Sequence, residues 1–267
     1  ARIAREFIAE SSVHNVRYAE VFVSPSVWTF FHPELDVVAT VAAMRAEFDV
    51  ARASGGAQVA IICDLTRNFG VERAFETART AVRLADAGLG VVGIGLGGDE
   101  ANFPPAPYRA PFEFARAHGL HTVAHAGEAA GAASVRDAIE VLGAERIGHG
   151  VSASEDDRVV DLLVERRIAL ELCPTSNRLT GAVPPGHVHP IAEFDARGVI
   201  CTIDSDDPTL FSTTLQREYE IVGNQCGEAA LVRFVRNAID ASFAPEDLRS
   251  ELRREVDAFS GLTMPSA

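Results

Sequence analysis

The sequence predicts an α/β fold, a (βα)8 TIM barrel whose first strand is missing from this chain. Two observations carry that expectation. Short apolar runs alternate along the whole chain with amphipathic segments at helical spacing, the pattern of a parallel sheet covered by helices. Polar, ionisable and glycine-containing clusters fall just after the apolar runs, and the carboxyl ends of strands are where such barrels build their chemistry.

The elements follow in order. Ala1 to Ser12 reads as an amphipathic helix, and Val16 to Ser24 as a strand closed by Pro25. Leu35 to Ser54 is a helix with Val37, Val38, Val41, Met44, Phe48 and Val50 mostly on one stripe, ended by Gly55-Gly56. Gln58 to Leu65 is near-continuously apolar, as a parallel strand covered on both faces should be. A helix from Val71 to Ala87 and a strand from Gly90 to Gly95 come next, then helix Pro111 to His118 and strand Leu120 to Ala126. The second half repeats the theme: helix Ala133 to Leu142, strand Arg146 to Gly148, helix Asp156 to Arg166, strand Ile168 to Leu172, helix Pro190 to Arg197 and strand Val199 to Ile203. From Thr213 onward the chain reads as helical, with Leu231 to Ala241 and Pro245 to Phe259 as clear segments. These strands number seven, so an eighth is expected upstream of Ala1. The 267 residues are read as one domain, long enough to bury roughly three quarters of the unfolded surface.

Composition excludes several functions. A net charge of −14 argues against a nucleic-acid or anionic-membrane surface. All 24 basic residues are arginine, so no lysine is present to form a Schiff base or a phosphate-binding loop. Cys63, Cys173, Cys201 and Cys226 lack metal-site spacing and read as reduced thiols, in keeping with a cytoplasmic protein. No apolar run is long enough to span a membrane.

The strand ends carry the chemistry. They read Gly95-Leu-Gly-Gly98-Asp99-Glu100, His125-Ala-Gly-Glu128, His149-Gly150, Cys173-Pro-Thr-Ser-Asn177 and Asp204-Ser-Asp206-Asp207-Pro208. Each has a plainer reading: Asp207-Pro208 is a good helix start, Glu128 could cap a turn, and a lone histidine is more often structural. Five such clusters on successive strands favour an active site built around a divalent metal that activates water. His14, His32, His118, His121, His187 and His189 lie at strand starts, helix ends or loops and are read as structural or surface residues.

These motifs, in this order, resemble the adenosine deaminase family of metal-dependent amidohydrolases. The resemblance implies that His125 and Asp206 bind zinc, one ion per subunit. It implies that Glu128 protonates purine N1, and that His149 orients the water that adds at C6 and aids its deprotonation. Gly98 would donate its backbone N–H to purine N3, and Asp207 would partner N7. The expected activity is zinc-dependent hydrolytic deamination of a 6-aminopurine nucleoside, adenosine to inosine and ammonia first. Adenine and aminodeoxyfutalosine are the alternative substrates, and a non-catalytic barrel or another amidohydrolase reaction the remaining alternatives.

Three departures from the family pattern stand out. The family's His-x-His pair on the first strand is absent, so the chain as it stands is expected to bind zinc weakly and give no turnover. Asp204 stands where relatives usually carry Asn. Glu20-Val-Phe-Val-Ser-Pro25 lacks the arginine common in adenosine-specific members.

Overall fold

The computed structural model describes residues 1–263, which group into two compact units: Ala1–Ala124 with Glu140–Ala144, and His125–Ile139 with the chain from Glu145 onward. Both units carry the strand–helix alternation of a (βα)8 barrel, with seven strands among the described residues. No helix among them is long and apolar enough to cross a membrane.

The first unit contains β1 (Tyr18–Val23), β2 (Gln58–Asp64), β3 (Val91–Gly95) and most of β4 (His121–Ala126). All pairings are parallel, with Tyr18 opposite Gln58, Ile62 opposite Gly93 and Gly93 opposite His121, and an irregularity between Ile61 and Ile62. β2 is buried at every position after Gln58, which explains its unbroken apolar run. The helix Gly70–Asp86 buries Ala74, Thr77, Ala78, Ala81 and Val82, an i, i+3, i+4 stripe of small residues that lets it lie close. The helix Val37–Ala53 buries a narrower stripe than its sequence suggests. Only Val41 and Phe48, one heptad apart, are fully covered, whereas Val38 and Val50 are exposed. Asp36 caps this helix, its carboxylate accepting the Ala39 N–H at 3.0 Å.

The second unit begins with the last two residues of β4 and contains β5 (Arg146–His149), β6 (Ala169–Leu172) and β7 (Ile200–Ile203). Arg146 pairs with Ala169 and Ala169 with Ile200, again in parallel. Its core gathers Ile147, Leu170, Leu172, Phe194 and Phe234. Arg146 is buried there, its Nε 2.7 Å from Glu171 Oε1 and its guanidinium stacked on Phe243.

Two helices were not expected, Pro25–Phe31 and Pro174–Leu179, whereas Pro208–Phe211 opens at the helix start that Asp207-Pro208 offers. Each starts at a proline, after one residue beyond the strand end in the first two and four in the third, where the fixed φ and missing N–H of proline suit the first helical position. The expected helix from Ala133 to Leu142 is α-helical only over Ala132–Asp137 and continues as a π-helical turn, Ala138–Leu142.

Candidate active site

Most of the expected site residues meet in the second unit. β4 delivers His125, and the chain turns at Gly127 before Glu128. Gly127 has φ +75°, and a Cβ there would stand 2.5 Å from Val135 Cγ2 and 2.8 Å from Ser152 Oγ, so only glycine fits. The turn is tied down by hydrogen bonds from Ser152 N–H to Gly127 O at 3.0 Å and from Ser152 Oγ–H to Ala130 O at 2.9 Å. β5 delivers His149, which is buried and holds a left-handed backbone at φ +65°. Asp206, just beyond β7, shares this geometry at φ +55°. A non-glycine residue costs about 1–2 kcal/mol in that region, and His and Asp are among the types that tolerate it best.

The His149 ring stands 5.1 Å from the His125 ring, edge to face, and His149 Nε2 lies 3.4 Å from Glu128 Oε2. Donor atoms of His149, Cys173 and Asp206 lie within 4.8 Å of one another. Two ligands of one zinc at about 2.1 Å stand at most about 4.2 Å apart, so a sub-ångström adjustment brings this set into range. Cys173 is the poorest donor of the three. Its thiol donates to Glu171 O at 3.8 Å, and burial, then the carboxylates of Asp204, Asp206, Glu171 and Glu218, hold it protonated. Asp206 is an oxygen donor of the kind zinc accepts, while His149, with Asn177 on its Nδ1 and Glu128 facing its Nε2, lines the site rather than holding an ion. His125 is not part of that triplet; it flanks it through its ring contact with His149.

Asp207 is exposed on one side and opens the helix Pro208–Phe211. Partial burial and then the charge of Asp206 raise its pKa above the usual carboxylate value, against the opposing influence of His125. Asp204 turns its Oδ2 to the Thr202 hydroxyl at 2.6 Å, yet its charge still bears on Cys173 and Tyr219.

Behind His149 lies a buried polar row that the sequence did not reveal. Asn177 Nδ2 is 3.0 Å from His149 Nδ1, Asn177 Oδ1 is 3.1 Å from His189 Nε2, and His189 Nδ1 is 3.2 Å from the Ile191 N–H. Asn177, His149 and His189 are all buried. Glu218, buried too, accepts the Thr175 N–H at 2.8 Å and the Thr213 hydroxyl, anchoring the short helix that bears Asn177. His189 therefore does not belong with the surface histidines. Its only sequence signal is that it immediately precedes Pro190 at a helix start.

Gly98 lies in the first unit, in the turn after β3, which is braced by residues at and just beyond the end of β2. Its φ is +93°, and a Cβ would fall 2.3 Å from Asn68 Oδ1. Asn68 Oδ1 accepts the Asp99 N–H at 3.0 Å, and Asp64 Oδ1 accepts the Gly97 N–H at 2.5 Å. The other Asp64 oxygen accepts the Thr66 N–H at 3.0 Å and the Thr66 hydroxyl at 2.7 Å. Arg67, wholly buried, donates to Phe103 O at 2.8 Å, while Tyr108 O–H donates to Arg67 O at 2.7 Å. Burial pulls the Arg67 pKa down, and the charges of Glu100 and Asp64 push it back up. The polar stretch Asp64-Leu-Thr-Arg-Asn68 directly after an apolar run was the available signal for this cluster.

A family model described as adenosine deaminase matches residues 1–259. The chain belongs to this family. Adenosine deaminase family members are hydrolytic deaminases of the amidohydrolase type, and this chain is a deaminase of a purine-like substrate. It is 38% identical over 265 residues to an aminodeoxyfutalosine deaminase of Streptomyces coelicolor, covering 98% of this chain and 67% of that protein. It is 33% identical over 253 residues to an adenosine deaminase of Shewanella denitrificans, covering 94% and 75%. Among solved structures, adenine deaminase from Arthrobacter aurescens superposes with a TM-score of 0.89 at 26% identity, covering 97% of this chain and 79% of that one. An amidohydrolase from Burkholderia ambifaria with bound Zn gives 0.86 at 25% identity, covering 98% and 74%.

Proposed function

We propose that the protein, read as one catalytic domain, deaminates a 6-aminopurine nucleoside hydrolytically with the help of zinc. The observation that carries this is the grouping of His149 Nε2 3.4 Å from Glu128, against His125 and beside Asp206, in a chain of this family. His125 and Asp206 would hold the zinc ion, which when bound supplies a Lewis acid that makes water nucleophilic near neutral pH.

The side chains supply the rest. Glu128 delivers a proton to N1, which leaves C6 electron-poor enough for water to add. His149, fixed in a buried position, orients that water. As the water adds, its first proton returns to the Glu128 carboxylate, which had protonated N1; the C6–N bond then breaks, and the amino group departs as ammonia with the second proton, given up by the added oxygen. Asp207, beside Asp206 and at the start of the helix Pro208–Phe211, is placed to contact the ring nitrogen N7.

Of the candidate nucleosides, aminodeoxyfutalosine takes precedence over adenosine. The support is the 38% identity to aminodeoxyfutalosine deaminases of Streptomyces coelicolor and Streptomyces avermitilis, against 33% for adenosine deaminase of Shewanella denitrificans. Ammonia release from aminodeoxyfutalosine, adenosine and adenine, measured on the product of the complete gene with zinc, decides. Turnover ranked in that order is expected. No ammonia from any of the three would overturn the proposal, and faster turnover of adenosine would overturn the ranking.

A further inference from the structure

We propose that His149 is locked as its Nε2–H tautomer by a buried row running from the Ile191 N–H through His189 and Asn177, which makes Asn177 and His189 positioning residues. The direction of the row follows from its one unambiguous donor. A backbone N–H can only donate, so His189 Nδ1, 3.2 Å from the Ile191 N–H, must be bare. The neutral His189 ring then carries its proton on Nε2, which faces the Asn177 amide at 3.1 Å. A donor there requires the carbonyl oxygen of Asn177 and sends its NH2 toward His149 Nδ1 at 3.0 Å. His149 Nδ1 is thereby an acceptor, and the ring proton sits on Nε2, 3.4 Å from Glu128 Oε2.

Two facts keep the row from reversing. Desolvation by burial, with the charge of Arg178, lowers the His189 pKa to about 4, so the ring stays neutral at working pH. The residues are buried, so water does not compete for either end of Asn177. A neutral His149 with its proton on Nε2 is a hydrogen-bond donor to the incoming water and to the oxygen that builds charge at C6. It cannot take that water's proton, and this revises the base role implied by the family resemblance.

The assignment of His149 to the reacting water rests on the proposed function; the tautomer itself does not. 15N NMR of the 267-residue chain labelled in histidine reads it directly, with H149N and H189L assigning the signals. Expected in the wild type are an unprotonated Nδ1 and a protonated Nε2 for both rings. H189L removes the donor facing Asn177 and should leave His149 a mixture of tautomers, whereas H189Q, which keeps an N–H there, should restore the wild-type pattern. A protonated Nδ1 on wild-type His149, or an unchanged tautomer in H189L, would overturn the proposal. In the zinc-loaded enzyme, H189L should lower kcat about 10- to 100-fold at nearly unchanged KM, with H189Q recovering most of it. A correct tautomer with no ammonia from any 6-aminopurine would defeat the functional reading and leave the row standing.

Discussion

The two units hold their functional groups by opposite means. In the second, the row behind His149 is built from uncharged groups, two imidazoles and an amide, joined end to end. In the first, the turn carrying Gly98 is braced by a carboxylate and a guanidinium, Asp64 and Arg67, both buried and both bonded to backbone. A neutral row fixes which atom carries a proton, because every member must donate at one end and accept at the other. An ionic brace fixes where backbone lies, because a carboxylate collects several N–H and O–H donors at once. The proposed mechanism uses the first at His149, to face the reacting water; the second holds Gly98 so as to present its main chain.

The largest expected effect separates chemistry from both scaffolds. E128Q keeps the shape and the neighbour of His149 but has no proton to deliver, so kcat should fall by about 10³-fold or more with the metal content unchanged. A drop of less than tenfold would remove Glu128 from the proposed role. The ionic brace is tested by D64A. It strips the Gly97 and Thr66 donors of their acceptor, and urea unfolding should show a loss of about 3 kcal/mol. The His149 tautomer should stay as it is; a change would show that the two networks are not separate.

The neutral row has a pH signature of its own. Unfolded, His189 takes up a proton below its ordinary pKa of 6.5; folded, it does so only near 4. Between these values the unfolded chain binds more protons. This contribution to stability is therefore complete above pH 6.5 and is lost as the pH falls toward 4, by about 3 kcal/mol at most. Unfolding at pH 5 and pH 7.5 should show a difference in the wild type that H189L lacks. The smallest effect belongs to neither network. Arg197 bridges Asp157 and Asp161 on the exposed surface, and R197A should cost less than about 1 kcal/mol.

Much of the fold was legible because period-2 and period-3.6 patterns are local, and strand ends show as abrupt changes from apolar to polar. His125, Glu128, His149, Asp206 and Asp207 stood out by that change of character. The helices Pro25–Phe31 and Pro174–Leu179 were hidden because a proline after a strand reads equally well as a stop. Asp64 was masked by the apolar Leu65 that follows it, which makes the strand read on to Leu65 and leaves Thr66-Arg67-Asn68 looking like an ordinary loop. His189 was illegible for a deeper reason. It reaches Asn177 across 12 positions and Asn177 reaches His149 across 28, and no periodicity encodes such a pairing.

The left-handed backbone at His149 and Asp206 bears on how these positions can be altered. On the proposed mechanism chemistry and main-chain tolerance coincide there, since histidine and aspartate are both used by the reaction and accepted by the turn. A saturation library at either position would then sort into three classes. Glycine and asparagine would yield well-expressed, inactive protein, most other residues poorer yields, and valine or isoleucine little soluble material. Transplanting this pair of residues onto an idealised barrel with regular strand ends would deliver the side chains but aim them elsewhere.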